Sequence, residues 1–316
     1  MAMIKLTPEY HDKWNKFALK HHWFFHSTYW IEYLMNSKIG VEFVDHSFFA
    51  DNSKTITNIV PLVQEGNKLI SPGFFEEREI LKEINRIAVE NNIKHIQVNA
   101  DIKKYLGLIN YTCVLDLDDI KPSKGHRSGI KKGEQYLSFR ELCSYDTDAF
   151  RKYYTNFSKE YTRPKKTFDL LGQWINRGFG TLLEAVLDNE DFKTVGYVYI
   201  LHWGKYAYYF MSCVPMPYKQ YNVTHFLMSK AFEILRDKGI EKFELGEQVY
   251  NSLHYHPTEK ERSISLFKRN FGGQIILKPA SEFFMSQEYM IDVYANRIHE
   301  YWKCEHEKNI NNISQT

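Results

Sequence analysis

Glu244 and Glu247 stand at the end of a short strand-like segment, and two histidines, His254 and His256, follow in the next loop. A glutamate becomes a useful proton acceptor when burial raises its pKa, and a histidine titrates near neutrality without help. Glu247 is the first choice of base, although a solvated glutamate after a strand end is the plainer reading. The two histidines have no third partner at ligand spacing, so no metal is expected. His225, at the close of the polar run Tyr218 to His225, and Tyr209, on a tyrosine-rich strand, are weaker catalytic candidates, because a tyrosine on a half-buried strand is ordinarily core. Arg163, ending the stretch Glu160 to Arg163, carries a planar guanidinium that can grip a phosphate or carboxylate, or cap a helix end instead. Lys268 lies on a helix whose other face is Ile264 and Phe267, and is either a solvated lysine or a cation at a cleft. Trp23 and Trp30 flank the first two helices and are expected to pack on the first sheet, with a groove-lining role as the alternative.

These residues depend on elements that the pattern makes legible. Thr194 to His202 and Lys205 to Val214 are rich in Tyr, Val and Phe, with Trp203-Gly204 as the turn between them. A helix then begins near Asn222 or Thr224, either able to cap it, and carries Val223, Phe226, Leu227, Ala231, Ile234 and Leu235 at helical spacing. It stops at Gly239, and Glu241 to Leu245 reads as a strand; so short a connection implies a βαβ crossover with parallel strands. Earlier, helices at Pro8 to Lys20 and Thr28 to Asn36 precede strands at Val41 to Ala50, Thr55 to Val63 and Lys68 to Ser71. A helix at Glu76 to Glu90 and a strand at Lys94 to Val98 follow, so the later order of elements has an early counterpart, without a residue-level repeat. Downstream lie a strand from Gln274 to Leu277 and a helix from Tyr289 to Lys308, expected to pack through Ile291, Tyr294, Ile298 and Trp302.

Between the halves, Lys121 to Gln135 holds Lys121, Lys124, His126, Arg127, Lys131 and Lys132, with Gly125, Gly129 and Gly133 four residues apart. Each glycine weakens a helix by up to about 1 kcal/mol relative to alanine. The segment reads as a solvated linker helix, or as a mobile basic segment that folds over an anionic ligand.

Composition bounds the class. The 316 residues are 43% apolar, enough for a substantial core, and the length suits two domains better than one. Lys plus Arg number 41 against 39 for Asp plus Glu, so the overall field marks no extended nucleic-acid or membrane surface. The cysteines Cys113, Cys143, Cys213 and Cys304 are scattered, which suggests neither a disulfide framework nor a zinc knuckle and fits a reducing cytoplasm. No stretch approaches the roughly 20 apolar residues of a spanning helix, so a cytoplasmic protein without membrane insertion is expected.

Four segments taken together carry a family resemblance: His26-Ser-Thr-Tyr-Trp-Ile-Glu-Tyr-Leu34, the basic linker around Arg127 and Lys131, the strand ending Phe243-Glu-Leu-Gly246, and Ile264-Ser-Leu-Phe-Lys-Arg-Asn-Phe-Gly-Gly273. In order and spacing they resemble the FemAB-like branch of the GNAT acyltransferase superfamily. The resemblance implies an α/β (α+β) fold of two GNAT-like domains in tandem, each a mixed sheet flanked by helices. Residues 1–120 would form the N-terminal domain, 121–135 the basic linker, and 136–316 the C-terminal domain with the donor cleft.

The same resemblance implies N-acyl transfer from a thioester, acyl-CoA or an acyl-carrier protein, to an amine by direct attack in a ternary complex. The acceptor would be an amino sugar, possibly nucleotide-linked, or another precursor of a cell-surface glycan. No cofactor is tightly bound in this reading; the thioester is a co-substrate. A backbone amide where two parallel strands splay apart would meet the oxyanion, between the end of Tyr206 to Cys213 and Phe243 to Gly246. Cys213 and Val214 would line the pantetheine arm, and Tyr218, Lys219, Asn222 and Thr224 would hold its phosphates at a helix amino end, where free amides attract anions. Trp30, Arg163, Glu244, His254 and Lys268 would bind the acceptor. The chain departs from the acetyl-CoA enzymes of this superfamily, whose glycine-rich arm is replaced by Tyr218-Lys-Gln-Tyr-Asn-Val-Thr-His225, which puts coenzyme A in doubt. Two alternatives stand beside it: aminoacyl-tRNA-dependent peptide-bridge transfer, less favoured without a helical-hairpin insertion, and a non-catalytic member that binds a glycan intermediate.

Overall fold

The structure is a computed structural model that describes residues 2–53, 55–103, 105–142, 147–158, 163–188, 193–250 and 256–313. His254 and residues 160–162 of the Glu160 to Arg163 stretch lie outside the described residues. In chain order the elements are β1 (Ala2–Lys5), α1 (His11–Lys20), α2 (Thr28–Met35), β2 (Phe43–Asp45), β3 (Phe48–Asn52), β4 (Thr55–Val60), β5 (Val63–Glu65), β6 (Lys68–Ser71), α3 (Arg78–Glu90), β7 (His95–Val98) and β8 (Leu106–Asp116). They continue as α4 (Lys124–Glu134), β9 (Leu137–Glu141), α5 (Thr147–Ser158), α6 (Lys165–Asn176), β10 (Gly180–Leu187), β11 (Lys193–Trp203), β12 (Tyr206–Cys213), α7 (Val223–Asp237), β13 (Lys242–Gln248), α8 (Glu259–Arg269), β14 (Gln274–Phe284) and α9 (Gln287–Ile313).

Among the described residues the strands form a small sheet, β1-β3-β4, and a continuous eleven-stranded sheet in the order β2-β5-β6-β7-β14-β8-β13-β12-β11-β10-β9. Two pairs in the large sheet are parallel, β6 with β7 and β12 with β13, and each is bridged by a helix, α3 or α7. The expected repetition of architecture is therefore real at the level of the βαβ unit.

The two halves interlock by exchanging strands. β8 follows β7 in the chain but pairs with β13 and β14, whereas β14 follows α8 but pairs with β7 and β8. Cys113, Leu115 and Leu117 consequently join the core beneath α7 with Phe243 and Phe271, while Phe283 packs on the core beneath α3. Each fully buried apolar side chain of this kind stabilises by about 1.5–3 kcal/mol.

Several expectations are corrected. The strands expected over Val41 to Ala50 and Thr55 to Val63 each break in two, and the pieces join different sheets. Asp45 turns the first by accepting from the Ser47 amide at 2.8 Å, and Pro61, which lacks an amide proton, ends the second. The later hairpin turns at Gly204-Lys205, since Trp203 still pairs with Tyr206. The basic segment is an ordered helix rather than a mobile linker, its start capped by Ser123, whose hydroxyl accepts from the His126 amide. Gly129 and Gly133 are there because α7 passes at backbone contact: a Cβ at 133 would stand 2.6 Å from Cβ of Phe226. Lys124, Arg127, Lys131 and Lys132 face outward.

Of the apolar stripe expected to pack α9, Tyr294 docks, whereas Ile291 and Ile298 are 54% and 55% exposed. The face one step around the helix docks instead. Arg297 donates to both carboxylate oxygens of the fully buried Glu282 at 2.8 and 2.9 Å, and Tyr294 and His95 complete the cluster at 2.9 and 3.1 Å. Among the described residues no helix is long and apolar enough to cross a membrane.

Candidate functional site

β12 and β13 run side by side for three rungs only, Tyr206 with Lys242, Ala207 with Phe243 and Tyr208 with Glu244. Each strand then follows its other neighbour through an irregularity. β12 has an extra residue, Phe210, between the rungs Ile200–Tyr209 and Tyr199–Met211 to β11. β13 has Leu245 between the rungs Glu244–Val114 and Gly246–Cys113 to β8. A bulge bends its strand and strengthens the local twist, so the two bulges steer the strands apart. The result is a V-shaped opening between Tyr209–Cys213 and Leu245–Gln248, slightly further along β13 than the sequence suggests.

Lys268 reaches this opening from α8. Gly246 adopts φ 91°, a region that L side chains rarely enter, and a Cβ there would stand 3.2 Å from the Lys268 ammonium. The ammonium also lies 3.5 Å from the Glu247 carbonyl. Burial pulls the Lys268 pKa below the usual lysine range, against the pull of Glu247, Cys113 and Glu244. Glu247 pairs in register with Thr112, and its carboxyl is pushed above the usual range first by the surrounding protein, with Lys268 opposing and Glu261 adding. Its outer surface stays exposed to water, so the group is partly screened rather than enclosed.

Glu244, on the last rung, accepts from Thr112 Oγ1 at 2.9 Å and from Lys278 Nζ at 2.6 Å on both oxygens. On the same face, Trp30 stacks on Tyr33 at 5.1 Å and meets Phe210 edge-on at 6.1 Å. Trp30 thus packs on the second half rather than on the first sheet, while Trp23 does pack there. Arg163 donates to the Tyr33 hydroxyl at 2.8 Å and lies over the rings of Phe210 and Tyr154 at 5.6 and 5.9 Å. Among the described residues it caps no helix and has no carboxylate partner. Trp30 and Arg163 therefore converge on the bulged residue Phe210.

Of the remaining candidates Cys213 shares this face, buried with Met211 and Tyr197, and the others lie on the other face. Tyr209 donates to Ser212 Oγ at 2.5 Å, and burial raises its pKa to about 12. His225 is wedged between helices, 4.5 Å from the His126 ring and 5.1 Å from Phe267, and burial lowers its pKa to about 4. The Cys213 side chain is buried, which raises its thiol pKa, and Val214 packs beneath the start of α7. Tyr218 lies in the turn before α7 with the Lys193 ammonium over its ring at 5.4 Å; Lys219 is exposed. α7 begins at Val223, so Asn222 takes the cap position, but in a left-handed conformation and without a side-chain capping bond. Thr224 is in the first turn and does not cap. Among the described residues no three His, Cys, Asp or Glu side chains gather as a metal site.

No protein-family model matches the chain, and no curated protein matches it. Solved structures do. FemX superposes with a TM-score of 0.68 at 11% identity, over 93% of this chain and 100% of that one. L-PGS from Bacillus licheniformis superposes at 0.61 and 12%, over 93% and 97%. A tandem GNAT protein from the clavulanic acid biosynthesis pathway superposes at 0.52 and 9%, over 90% and 98%. The chain has the FemAB-like GNAT fold. At these identities the likeness is one of fold.

Within this FemAB-like fold, α4 crosses the first turns of α7, with Gly129 against Asn222 and His225. The amino end of α7 is thereby flanked by a basic helix where acetyl-CoA enzymes of the superfamily have a glycine-rich arm. Sequence reasoning missed Lys278, Thr112, Tyr33 and Phe210. The first two reach the site through the strand exchange, which leaves no local trace in the chain.

Proposed function

We propose that the chain is an N-acyltransferase of two GNAT-like halves, residues 1–120 and 136–316 joined through 121–135, acting in the cytoplasm. The observation that carries this reading is the bulged parting of β12 and β13 beside Lys268 and Glu247. An acyl carbonyl held in the opening meets backbone amides of the parting strands and the Lys268 ammonium, which stabilise the oxyanion as it forms. The acceptor amine approaches from the face of Trp30, Arg163 and Glu244, and its nitrogen attacks the carbonyl carbon. Glu247, made more basic by its surroundings, takes the amine proton and returns it to the departing thiolate. One carbon–nitrogen bond forms and one carbon–sulfur bond breaks, with no change in oxidation state. Tyr218, Lys219, Asn222 and Thr224 are the proposed contacts for the donor phosphates, and Cys213 and Val214 for the arm; a glycan-precursor amine is the proposed acceptor.

Acyl-CoA or an acyl-carrier protein is the first donor considered. A second reading, an aminoacyl ester on tRNA, is favoured by α4 lying across α7 where a glycine arm would wrap a pyrophosphate, and FemX and L-PGS are among the similar structures. Incubating the full chain with acyl-CoA, acyl-carrier and aminoacyl-tRNA donors and amino-sugar nucleotides tests both, with products read by mass. Mass gain on an amine is expected. No product with any donor, together with ligand binding that persists in Glu247→Gln, would favour a binding role instead.

A further inference from the structure

A cleft of about 390 Å³ lies on the acceptor face at the closed end of the V, where the two halves meet. Its floor is built from alternate residues of β8, β12, β13 and β14, and its roof is the segment His21–Trp23. Phe25, 4.7 Å from Tyr208 and 4.9 Å from Trp30, stands between this cleft and the Trp30–Arg163 wall. Glu244 belongs to both, as the last rung before the opening and as part of the cleft lining.

The cleft is preformed. The His22 carbonyl accepts from the Tyr208 hydroxyl at 3.2 Å, and His22 Nδ1 accepts from the Lys205 amide at 3.3 Å, which ties roof to floor. His22 holds φ 58° there, a conformation that costs a non-glycine residue on the order of 1 kcal/mol or more and persists only when the surroundings enforce it.

Its chemistry is polar and electrically balanced. Asp116 pairs with Lys242 at 2.5 Å and Glu244 with Lys278 at 2.6 Å, so the charges cancel. His21 is held below the ordinary histidine range by burial, with Lys20 and His22 adding. Among the described lining residues a phosphate-bearing ligand finds no lysine without a carboxylate partner, and an amino acid would have to break a carboxylate clamped on both oxygens. The ammonium and carboxylate groups nevertheless keep unused donor and acceptor positions, and the Gln274 amide offers both kinds. The His22 and Tyr206 rings, stacked at 5.8 Å, and Trp23 supply flat apolar faces.

We infer that this cleft binds a neutral polyhydroxylated ring, a sugar residue. It lies two residues of β13, about 7 Å, before the opening, roughly one ring from the position of the reacting amine. On the acyl-transfer reading, the acceptor is therefore a glycan of at least two rings, and binding to the distant ring helps hold the amine in place.

Calorimetric titration of the full chain with the methyl glycosides of glucose, galactose and N-acetylglucosamine and with a β-linked disaccharide tests this. Uridine monophosphate and lysine serve as charged controls. Saturable binding of a neutral sugar is expected, weakened about 3- to 10-fold by Gln274→Ala through one lost hydrogen bond, with the melting temperature unchanged. Tyr206→Leu should weaken it likewise by removing a ring face. Binding of the charged probes alone, no saturable binding of any neutral sugar, or a sugar affinity unchanged from the parent in both variants overturns the proposal. Sugar binding without acyl transfer from any donor would leave this inference standing and sink the acyltransferase reading.

Discussion

Lys278, on a strand contributed from the far end of the chain, clamps both carboxylate oxygens of Glu244, the residue on the last rung before β12 and β13 part. The strand exchange thus reaches into the candidate site itself. Replacing Lys278 by Met leaves a largely buried carboxylate with Thr112 as its remaining hydrogen-bond partner among the described residues. Because the lysine is half exposed, solvent screening reduces the loss, and destabilisation of about 1–2 kcal/mol is expected by urea titration. The double variant Glu244→Gln/Lys278→Met should recover part of it.

On the proposed acyl-transfer reading, in which Lys268 is an oxyanion donor, Lys268→Ala is expected to lower kcat by about 10²–10³-fold. KM for the acceptor should change far less, and steady-state kinetics with a productive donor separates the two. An unchanged kcat would remove Lys268 from the mechanism.

The pH–rate profile follows from two opposed shifts. Glu247 must be deprotonated to act as a base and its pKa is raised above 4.5, so the acid limb lies above that pH. Lys268 must be protonated and its pKa is lowered below 10.5, so the alkaline limb lies below that pH. The bell is narrower than ordinary side chains would give. Glu247→Gln should abolish the acid limb and cost about 10²–10⁴ in rate.

The buried Glu282 cluster makes a stability prediction. Arg297→Met leaves the fully buried Glu282 carboxylate without its cation, and a loss of about 3–5 kcal/mol is expected. Glu282 has a folded pKa below its unfolded value, chiefly through hydrogen bonds from Arg297 and His95 that outweigh its burial. Its stabilisation is therefore complete above the unfolded pKa near 4.5 and erodes as pH falls towards the folded value. Urea midpoints measured between pH 7 and pH 3 should fall more steeply for the parent than for Arg297→Met.

Gly133→Ala drives a methyl group to within 2.6 Å of Phe226 Cβ, which is buried. Overpacking of this kind costs about 1–3 kcal/mol. Thermal melting should show it, whereas Gly125→Ala, with open space around it, should be neutral or stabilising.

Much of the fold was readable because local pattern and tertiary packing agree. The α7 periodicity and the short step from Gly239 to β13 required a parallel βαβ unit, and Tyr208 duly faces Glu244 across it. Glu247 and Lys268 could be singled out by their places on β13 and α8. What the chain hid is long-range. Nothing near Asp116 or Lys278 announces that they share a floor with Tyr206, because pairing of 106–114 with 274–282 leaves no mark at either end. The glycine spacing in α4 was legible but ambiguous: the same residues serve flexibility or close approach, and only Phe226 beneath Gly133 decides. The α9 stripe misled because a buried ion pair, rather than Ile291 and Ile298, sets which side docks.

The swap of β8 and β14 also governs how the polypeptide can be assembled. A nascent chain that has emerged only as far as residue 120 carries a strand whose two neighbours have not yet been synthesised, so its early half is left with an open sheet edge until residues 274–284 have been made. Cutting the chain within residues 121–135 would give two fragments that each hold a piece of the other, and restoring the native sheet from them requires that they find one another.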